Sequence, residues 1–340
     1  MTAVMPVGVE AAHDQVSPSI AAAVQRLSPD VRTVAAYHLG LPDRRTGSAG
    51  SARAAGKALR PALVLLSARA AGAQAESAVP AAVAVELVHN FSLLHDDIMD
   101  GDTERRHQPA AWTVYGVGAA ILAGDALLAL AQELLLEDQG PQGVWAARCL
   151  SAAVHRLIAG QGADLAFERR SDVTLSECMD MAGDKTAALM ACACSIGAIY
   201  VGARAEIAMS LASFGAQMGL AFQITDDLLG IWGAPEVTGK PVRSDLRAKK
   251  KSLPVVAALT SGTDAGRALG ELLFSPDPLT EEQLLRAADL VEAAGGRSRA
   301  EREADRAMAA ALGHLTETAM PDEVRAEFTG IAEFITARQW

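Results

Sequence analysis

An all-α fold is what this sequence predicts, and three observations carry the prediction. Half of the 340 residues are apolar, but aromatics are only 4%. Ala is very frequent, and Ala and Leu favour helices where β-branched and aromatic residues favour strands. Apolar positions recur at one-turn spacing, and Gly and Pro are scattered as punctuation between such stretches.

The elements follow in order. Residues 1–18 read as a loose tail. A helix is expected from about Pro18 to Leu39. The segment 42–56, rich in Gly, Ser, Arg and Ala, reads as a mobile basic loop. Pro61 opens the next helix, because proline is tolerated in a first helical turn. From Val79 to Met99 the residues Val85, Val88, Ser92 and Asp96 return about once per turn, which predicts a helix. A loop follows from Gly101 to Pro109. Further helices are predicted over 112–137, 142–168, 174–203 and 205–232. The polar stretch 233–252 predicts a loop, and Pro254 restarts a helix. Breaks are expected at Pro276–Pro278, Gly295–Gly296 and Pro321. No fixed-period repeat or linker interrupts the chain, so a single domain is expected over 1–340.

Composition excludes some functions. A net charge of −11 argues against a nucleic-acid partner. The four cysteines, Cys149, Cys178, Cys192 and Cys194, lack zinc-site spacing and read as small core residues in a reducing compartment. Residues 1–20 contain Glu10 and Asp14 and have no basic start leading into an apolar run, so no signal peptide is expected. The longest uncharged run, Thr186 to Ala203, is at the lower edge of spanning length and fits a buried helix better than a transmembrane segment. The expectation is a cytoplasmic protein.

Three constellations carry chemistry. In His95-Asp96-Asp97-Ile98-Met99-Asp100, a helix places Asp96 and Asp100 on one face. Their repulsion, a few tenths of a kcal/mol, makes sense if a divalent cation sits between them. Mg²⁺ takes oxygen ligands and shares them with substrate phosphates. A second doublet, Asp226-Asp227-Leu228-Leu229-Gly230, again ends an apolar helical run. Two such doublets on facing helices would make a two-sided metal site. The third constellation is cationic: Lys57 and Arg60, Arg105 and Arg106, Lys185, Lys240, and Lys249 to Lys251. Arg suits bidentate phosphate contact and Lys a point-charge contact. Grouped around paired carboxylates in an acidic chain, these residues fit a diphosphate site.

Taken together, GKALRP (56–61), DDIMD (96–100) with Arg105-Arg106, GQGADL (160–165), DKT (184–186), FQITDDLLG (222–230), TGK (238–240) and DLRAKKKSLP (245–254) resemble the trans-isoprenyl (polyprenyl) diphosphate synthase family. The resemblance spans roughly residues 50–310 and is most like a bacterial geranylgeranyl diphosphate synthase. It implies a bundle of long antiparallel helices around a central apolar cavity, usually in a homodimer. It implies that Asp96, Asp100 and Asp226 ligate Mg²⁺, with Asp164 and Gln161 supporting the cluster. It assigns Arg105, Lys185 and Lys240 to the allylic diphosphate, and Lys57, Arg60, His89 and Arg106 to isopentenyl diphosphate. Thr186 and Gln223 would place dipoles near the developing cation, and Lys250 matches a further conserved lysine position of the family pattern. Three departures stand out. His107 replaces the Gly of Arg-Arg-Gly, Ala55 replaces the first Gly of Gly-Gly-Lys, and Gly230 replaces the last Asp of the second motif.

The expected reaction joins isopentenyl diphosphate to an allylic diphosphate. A terpene cyclase on the same fold is the nearest rival, but it needs no isopentenyl diphosphate set, and Lys57, Arg60, His89 and Arg106 are all present. A non-catalytic partner subunit need not keep both acidic motifs. Product length is expected to depend on Phe91 and Ser92. With a rise of about 1.5 Å per residue, they lie roughly 7–8 Å and about 6 Å below Asp96. Ser92 is small enough to let a chain pass, and Phe91 is bulky enough to stop it. In the family this pattern resembles enzymes that stop at geranylgeranyl diphosphate, with farnesyl diphosphate the alternative product.

Overall fold

The computed structural model describes residues 7–41, 58–106, 108–138, 140–234 and 242–336. Its elements are α1 (Val7–Val24), α2 (Pro29–His38), α3 (Leu59–Ala70), a 3₁₀ turn at Ala75–Ala78 and α4 (Val79–Met99). A two-residue hairpin follows, β1 (Glu104–Arg105) paired antiparallel with β2 (Gln108–Pro109). Then come α5 (Ala111–Tyr115), α6 (Val117–Leu136), α7 (Pro141–Phe167), α8 (Leu175–Ala182), a π-helical turn at Gly183–Ala187, α9 (Ala188–Tyr200) and α10 (Ala205–Trp232). The last elements are α11 (Ser244–Arg247), α12 (Leu253–Leu259), α13 (Asp264–Leu273), α14 (Glu281–Ala293), α15 (Gly296–Glu317) and α16 (Asp322–Thr336). The fold is all-α, as expected, and α4 has the predicted bounds.

The main core joins the middle of the bundle through Leu63, Leu87, Leu127, Leu150, Leu189 and Phe214, all fully buried. Here α4 packs on α3 and α6, while α10 packs on α9 and α15. A second cluster, with Ile231, Leu246, Val255, Leu269 and Val291, fixes the far end of α10 to the helices that follow it. Among the described residues, three helices are long and apolar enough to cross a membrane by length and composition: Ala75–Met99, Val117–Leu136 and Ala205–Trp232. The first of these is largely buried inside the bundle.

Several expectations are corrected. Residues 7–18 are helical, and they belong to α1. Val9, Ala12 and Val16 fall on one face and are buried, against α3 and α4. Burying each valine is worth about 1.5–3 kcal/mol, enough to hold a helix whose sequence carries few other signals. The helix expected from Pro18 to Leu39 is two helices. Pro18 lies inside α1, and the break falls before Pro29, at the first position of α2. The 112–137 helix divides at Gly116, whose φ of 88° suits glycine. The 174–203 helix is widened by the π turn, and its start is fixed by a capping box between Thr174 and Glu177. Within the 233–252 loop, residues 244–247 make a helical turn. The basic loop 42–56, Lys57, His107 and the 238–240 segment with Lys240 lie outside the described residues.

Candidate active site

Both acidic motifs sit at helix ends beside one cleft: Asp100 of the first lines it, and Gly230 of the second lies against Asp245, which lines it too. The cleft has a volume of about 570 Å³, and Asp100, Asp164, Asp245 and Lys250 line it. In the first motif, Asp96 is half-buried on the last turns of α4 and Asp100 is exposed at its cap. Burial pushes the Asp96 carboxyl up to about 6, with Asp100 and Asp164 raising it further and Lys185 and Arg105 pulling it down. Burial and neighbouring carboxylates disfavour the charge on Asp96, a setting that a divalent cation would relieve.

Asp97, the middle residue, points the other way. It is 1% exposed, and Arg105 donates to it from Nε at 2.7 Å and also from Nη2. This ion pair ties the hairpin to the end of α4. Arg106 follows with a positive φ of 54°. It acts with Arg105 to depress the nearby buried imidazole of His38, which burial takes down to about 3.

The second motif, on α10, has the same division. Asp226 is half-buried, and Asp227 is 4% exposed. Asp227 accepts from Gln223 Nε2 at 2.9 Å and from the Leu253 backbone N–H at 3.0 Å. Gln223 Oε1 in turn accepts from the Thr186 hydroxyl at 2.5 Å. Thr186, Gln223 and Asp227 therefore form one chain that fixes the Gln223 amide and anchors α10 to the start of α12. Burial pushes the Asp227 carboxyl up to about 6, opposed chiefly by the Lys250 charge.

Lys185 and Thr186 reach the site because the chain widens into the π turn at Gly183–Ala187, a distortion that re-aims side chains. Gly160 of α7 makes room for it: a Cβ there would lie 2.2 Å from the Lys185 backbone nitrogen. Lys185 Nζ is 2.6 Å from Asp164 Oδ2. One turn earlier, Gln161 is buried, and among the described residues neither of its amide atoms has a hydrogen-bond partner, an incomplete polar group of the kind that a ligand or water satisfies. Lys250 is half-buried, and Asp245, Asp227, Asp164 and Asp100 together outweigh its desolvation and hold it protonated.

Arg60 and His89 form a separate basic cluster, with Arg60 Nη1 3.1 Å from His89 Nε2. Burial, then the charges of Arg60 and Arg106, hold His89 well below the usual imidazole range. Burial also lowers Arg60, and Glu86 opposes it. Glu86 is buried, and Asn90 Nδ2 donates to its Oε1 at 3.0 Å. Asp226 also acts on Arg60, so the cluster borders the second motif.

Phe91 is 6% exposed and meets His95 edge to face at 4.9 Å. His95 is wedged on Gly124 of α6, where a Cβ would come within 2.3 Å of its ring. Ser92 is buried, and its hydroxyl donates to the His89 carbonyl at 2.8 Å.

The structure thus brings Asp100, Asp164 and Lys250 to the cleft, pairs Lys185 with Asp164, sets Asp96 within their electrostatic reach and links Thr186 to Gln223. Arg60 and His89 form their own cluster, with Arg106 within electrostatic reach. Sequence reasoning missed four residues: Asp97 and Asp227 as buried anchors, Glu86 beside Arg60, and His38. Glu86 had a signal, one turn before His89 and Asn90 on a buried helix. The others depend on contacts between distant segments.

The donor set offers oxygen ligands, which fits Mg²⁺. Among the described residues, no three His, Cys, Asp or Glu side chains cluster tightly enough to hold a cation alone. A cation here would need ligands from a bound diphosphate, as Mg²⁺ sites on phosphate substrates commonly do.

Helix ends bearing carboxylates opposite lysines and arginines are what a phosphate-transfer or diphosphate-ionising enzyme needs, and comparison with known proteins specifies which. The polyprenyl synthetase family model matches residues 48–291, so the chain belongs to that family and is a prenyltransferase. It is 46% identical over 331 residues to a (2E,6E)-farnesyl diphosphate synthase of Mycobacterium tuberculosis strain ATCC 25618 / H37Rv, covering 96% of this chain and 92% of that protein. It is 43% identical over 336 residues to a geranylgeranyl diphosphate synthase of the same strain, covering 97% and 93%. The crystal structure of a polyprenyl synthetase from Streptomyces coelicolor A3(2) superposes with a TM-score of 0.91 at 50% identity, covering 96% of this chain and 98% of that one.

Proposed function

We propose that the protein is a Mg²⁺-dependent trans-prenyl diphosphate synthase that condenses isopentenyl diphosphate with allylic diphosphates. The observation that carries this reading is the convergence on one cleft of the Asp96–Asp100 helix end, the Lys185–Asp164 pair and Lys250. Asp96, Asp100 and Asp226 would ligate the metal, with Asp164 in support. Mg²⁺, when bound, supplies charge stabilisation to the leaving diphosphate. The chain's own part is electrostatic and steric. Arg105, Lys185, Lys240 and Lys250 offer positive charge to the allylic diphosphate. Lys57, Arg60, His89 and Arg106 hold isopentenyl diphosphate so that its alkene faces the allylic carbon. The fixed dipoles of Thr186 and Gln223 face the developing cation, and apolar surroundings keep water from it. The proton lost after bond formation goes to the departing pyrophosphate.

Incubating the protein with Mg²⁺, isopentenyl diphosphate and a series of allylic diphosphates tests this. The expected result is elongated prenyl diphosphates. Hydrocarbon products made without isopentenyl diphosphate would point to a cyclase, and no turnover at all to a non-catalytic subunit.

For product length, we propose the twenty-carbon geranylgeranyl diphosphate, with Phe91 as the floor. The packing of Phe91 against His95, itself wedged on Gly124, supports a rigid stop. Farnesyl diphosphate is the second reading, favoured by the 46% identity to a farnesyl diphosphate synthase. Phe91→Ala should give longer chains by product chromatography, and Ser92→Phe shorter ones. An unchanged distribution in Phe91→Ala would place the floor elsewhere.

A single domain and a homodimer in the cytoplasm complete the reading. Val117, Ile121 and Leu122 of α6 are exposed and apolar, continuing through Val114 and Tyr115, and Trp145 of α7 is exposed too. A second copy would cover such a face. Light scattering should give the mass of a dimer; a monomer that binds lipid vesicles would overturn this.

A further inference from the structure

The last residue of α2 is His38, which belongs to none of the acidic or basic motifs of the sequence. The residue before it fixes that helix end against the hairpin and the short helix that follows. The Tyr37 hydroxyl donates to the Pro109 carbonyl of β2 at 2.9 Å, and the Tyr37 ring meets Tyr115 of α5 edge to face at 5.3 Å. His38 itself is buried, at 7% exposure.

Its ring lies among cations. Burial, then the charges of Arg106 and Arg105, keep the imidazole uncharged at neutral pH, and the ring acts in turn on His89. A neutral imidazole has one donor and one acceptor nitrogen. Among the described residues, His38 Nε2 is enclosed and has no hydrogen-bond partner. A second enclosed nitrogen of the cluster, Arg60 Nε, is in the same state, although Arg60 Nη1 lies 3.1 Å from His89 Nε2. A buried polar atom without a partner is a cost that the free protein carries. The charges lean one way as well. Glu86 is the carboxylate that acts most strongly on both Arg60 and Arg106, so it divides its charge between two buried guanidiniums. Enclosed nitrogens beside surplus positive charge suit an anion.

We infer that His38 is a further binding residue for isopentenyl diphosphate, and that its enclosed Nε2–H donates to a diphosphate oxygen held among Arg60, His89 and Arg106. This rests on the assignment of that cluster to isopentenyl diphosphate proposed above. A neutral ring adds a hydrogen bond there without adding a charge that would repel the two arginines. The contacts of Tyr37 hold the donor in place before the ligand arrives, so little ordering is left to be done on binding.

The test is calorimetric titration of the full chain with isopentenyl diphosphate without Mg²⁺, beside titration with inorganic pyrophosphate in its presence. His38→Phe keeps an aromatic ring and removes the donor. It should weaken isopentenyl diphosphate binding about 10–100-fold, the usual worth of one hydrogen bond to a charged group. Mg²⁺-dependent pyrophosphate binding should change less than about threefold. Tm should not fall, because an orphaned nitrogen is lost and no partner is stranded. His38→Gln returns an amide N–H to the end of the side chain and should recover binding to within about threefold of wild type. His38→Leu takes the place of His38→Phe if the larger ring prevents folding. Isopentenyl diphosphate binding like wild type in the variant without a donor would overturn the inference. So would an equal loss for both ligands, or a His38→Gln variant that binds no better than His38→Phe. Arg60→Ala serves as the reference. If it loses isopentenyl diphosphate binding and His38→Phe does not, only this inference fails; if both bind like wild type, the isopentenyl diphosphate reading of the cluster fails with it.

Discussion

The first and second acidic motifs solve the same problem with different means. In each, the middle aspartate is buried and the first is half-buried at a helix end. Asp97 is held by a charged partner, Arg105, whereas Asp227 is held by neutral donors, the Gln223 amide and the Leu253 N–H. The first motif carries its third carboxylate on the same helix; the second has Gly230 and a carboxylate from α11 resting on it. The doublet therefore has two jobs. One aspartate is left half-buried at the helix end, and its neighbour fastens that end to the next segment. The second motif has the looser electrostatic support, because among the described residues no full positive charge is hydrogen-bonded to its buried member.

The largest effect should come from the half-buried aspartates. Asp96→Ala and Asp226→Ala should each lower kcat on the order of 10³-fold while the fold persists, because the lost interaction acts on charge that develops in the transition state. Unchanged steady-state turnover in Asp96→Ala at saturating Mg²⁺ would break the division of roles at its first member.

The buried members should show a smaller effect, and it should appear in stability. Asp97→Ala leaves Arg105 with only the more distant Asp102 carboxylate at 3.9 Å and should cost about 3 kcal/mol at pH 7 by chemical denaturation, the low end for such a pair because Arg105 keeps some exposure. Asp227→Asn should behave differently. The Asp227 carboxyl is raised from 3.8 to about 6. Between those values the unfolded chain ionises first, so wild-type stability falls as pH rises through that window. Asn does not ionise, so the variant should gain on wild type by about 2 kcal/mol from pH 4 to pH 7. A difference that stays flat with pH would show that the two anchors are alike after all.

Much of this was legible from sequence. Periodicity placed α4 within its observed bounds, and each acidic doublet stands at the end of an apolar helical run, as its sequence suggests. The start of α1 leaves little trace in the sequence because its buried face before Pro18 rests on Val9, Ala12 and Val16, and Pro18, which reads as a helix start, lies inside the helix. The π turn was missed because widening depends on α7 approaching at Gly160, which no local pattern records.

The most direct test of the account is calorimetric binding of inorganic pyrophosphate to the wild type, to Asp96→Ala and to Asp226→Ala, each with and without Mg²⁺. The account predicts tight binding only when Mg²⁺ is present, and loss of that Mg²⁺ dependence in either variant, because both helix ends must hold the same metal–diphosphate unit. Pyrophosphate binding of equal strength with and without Mg²⁺, or Mg²⁺ dependence that survives in both variants, would contradict it.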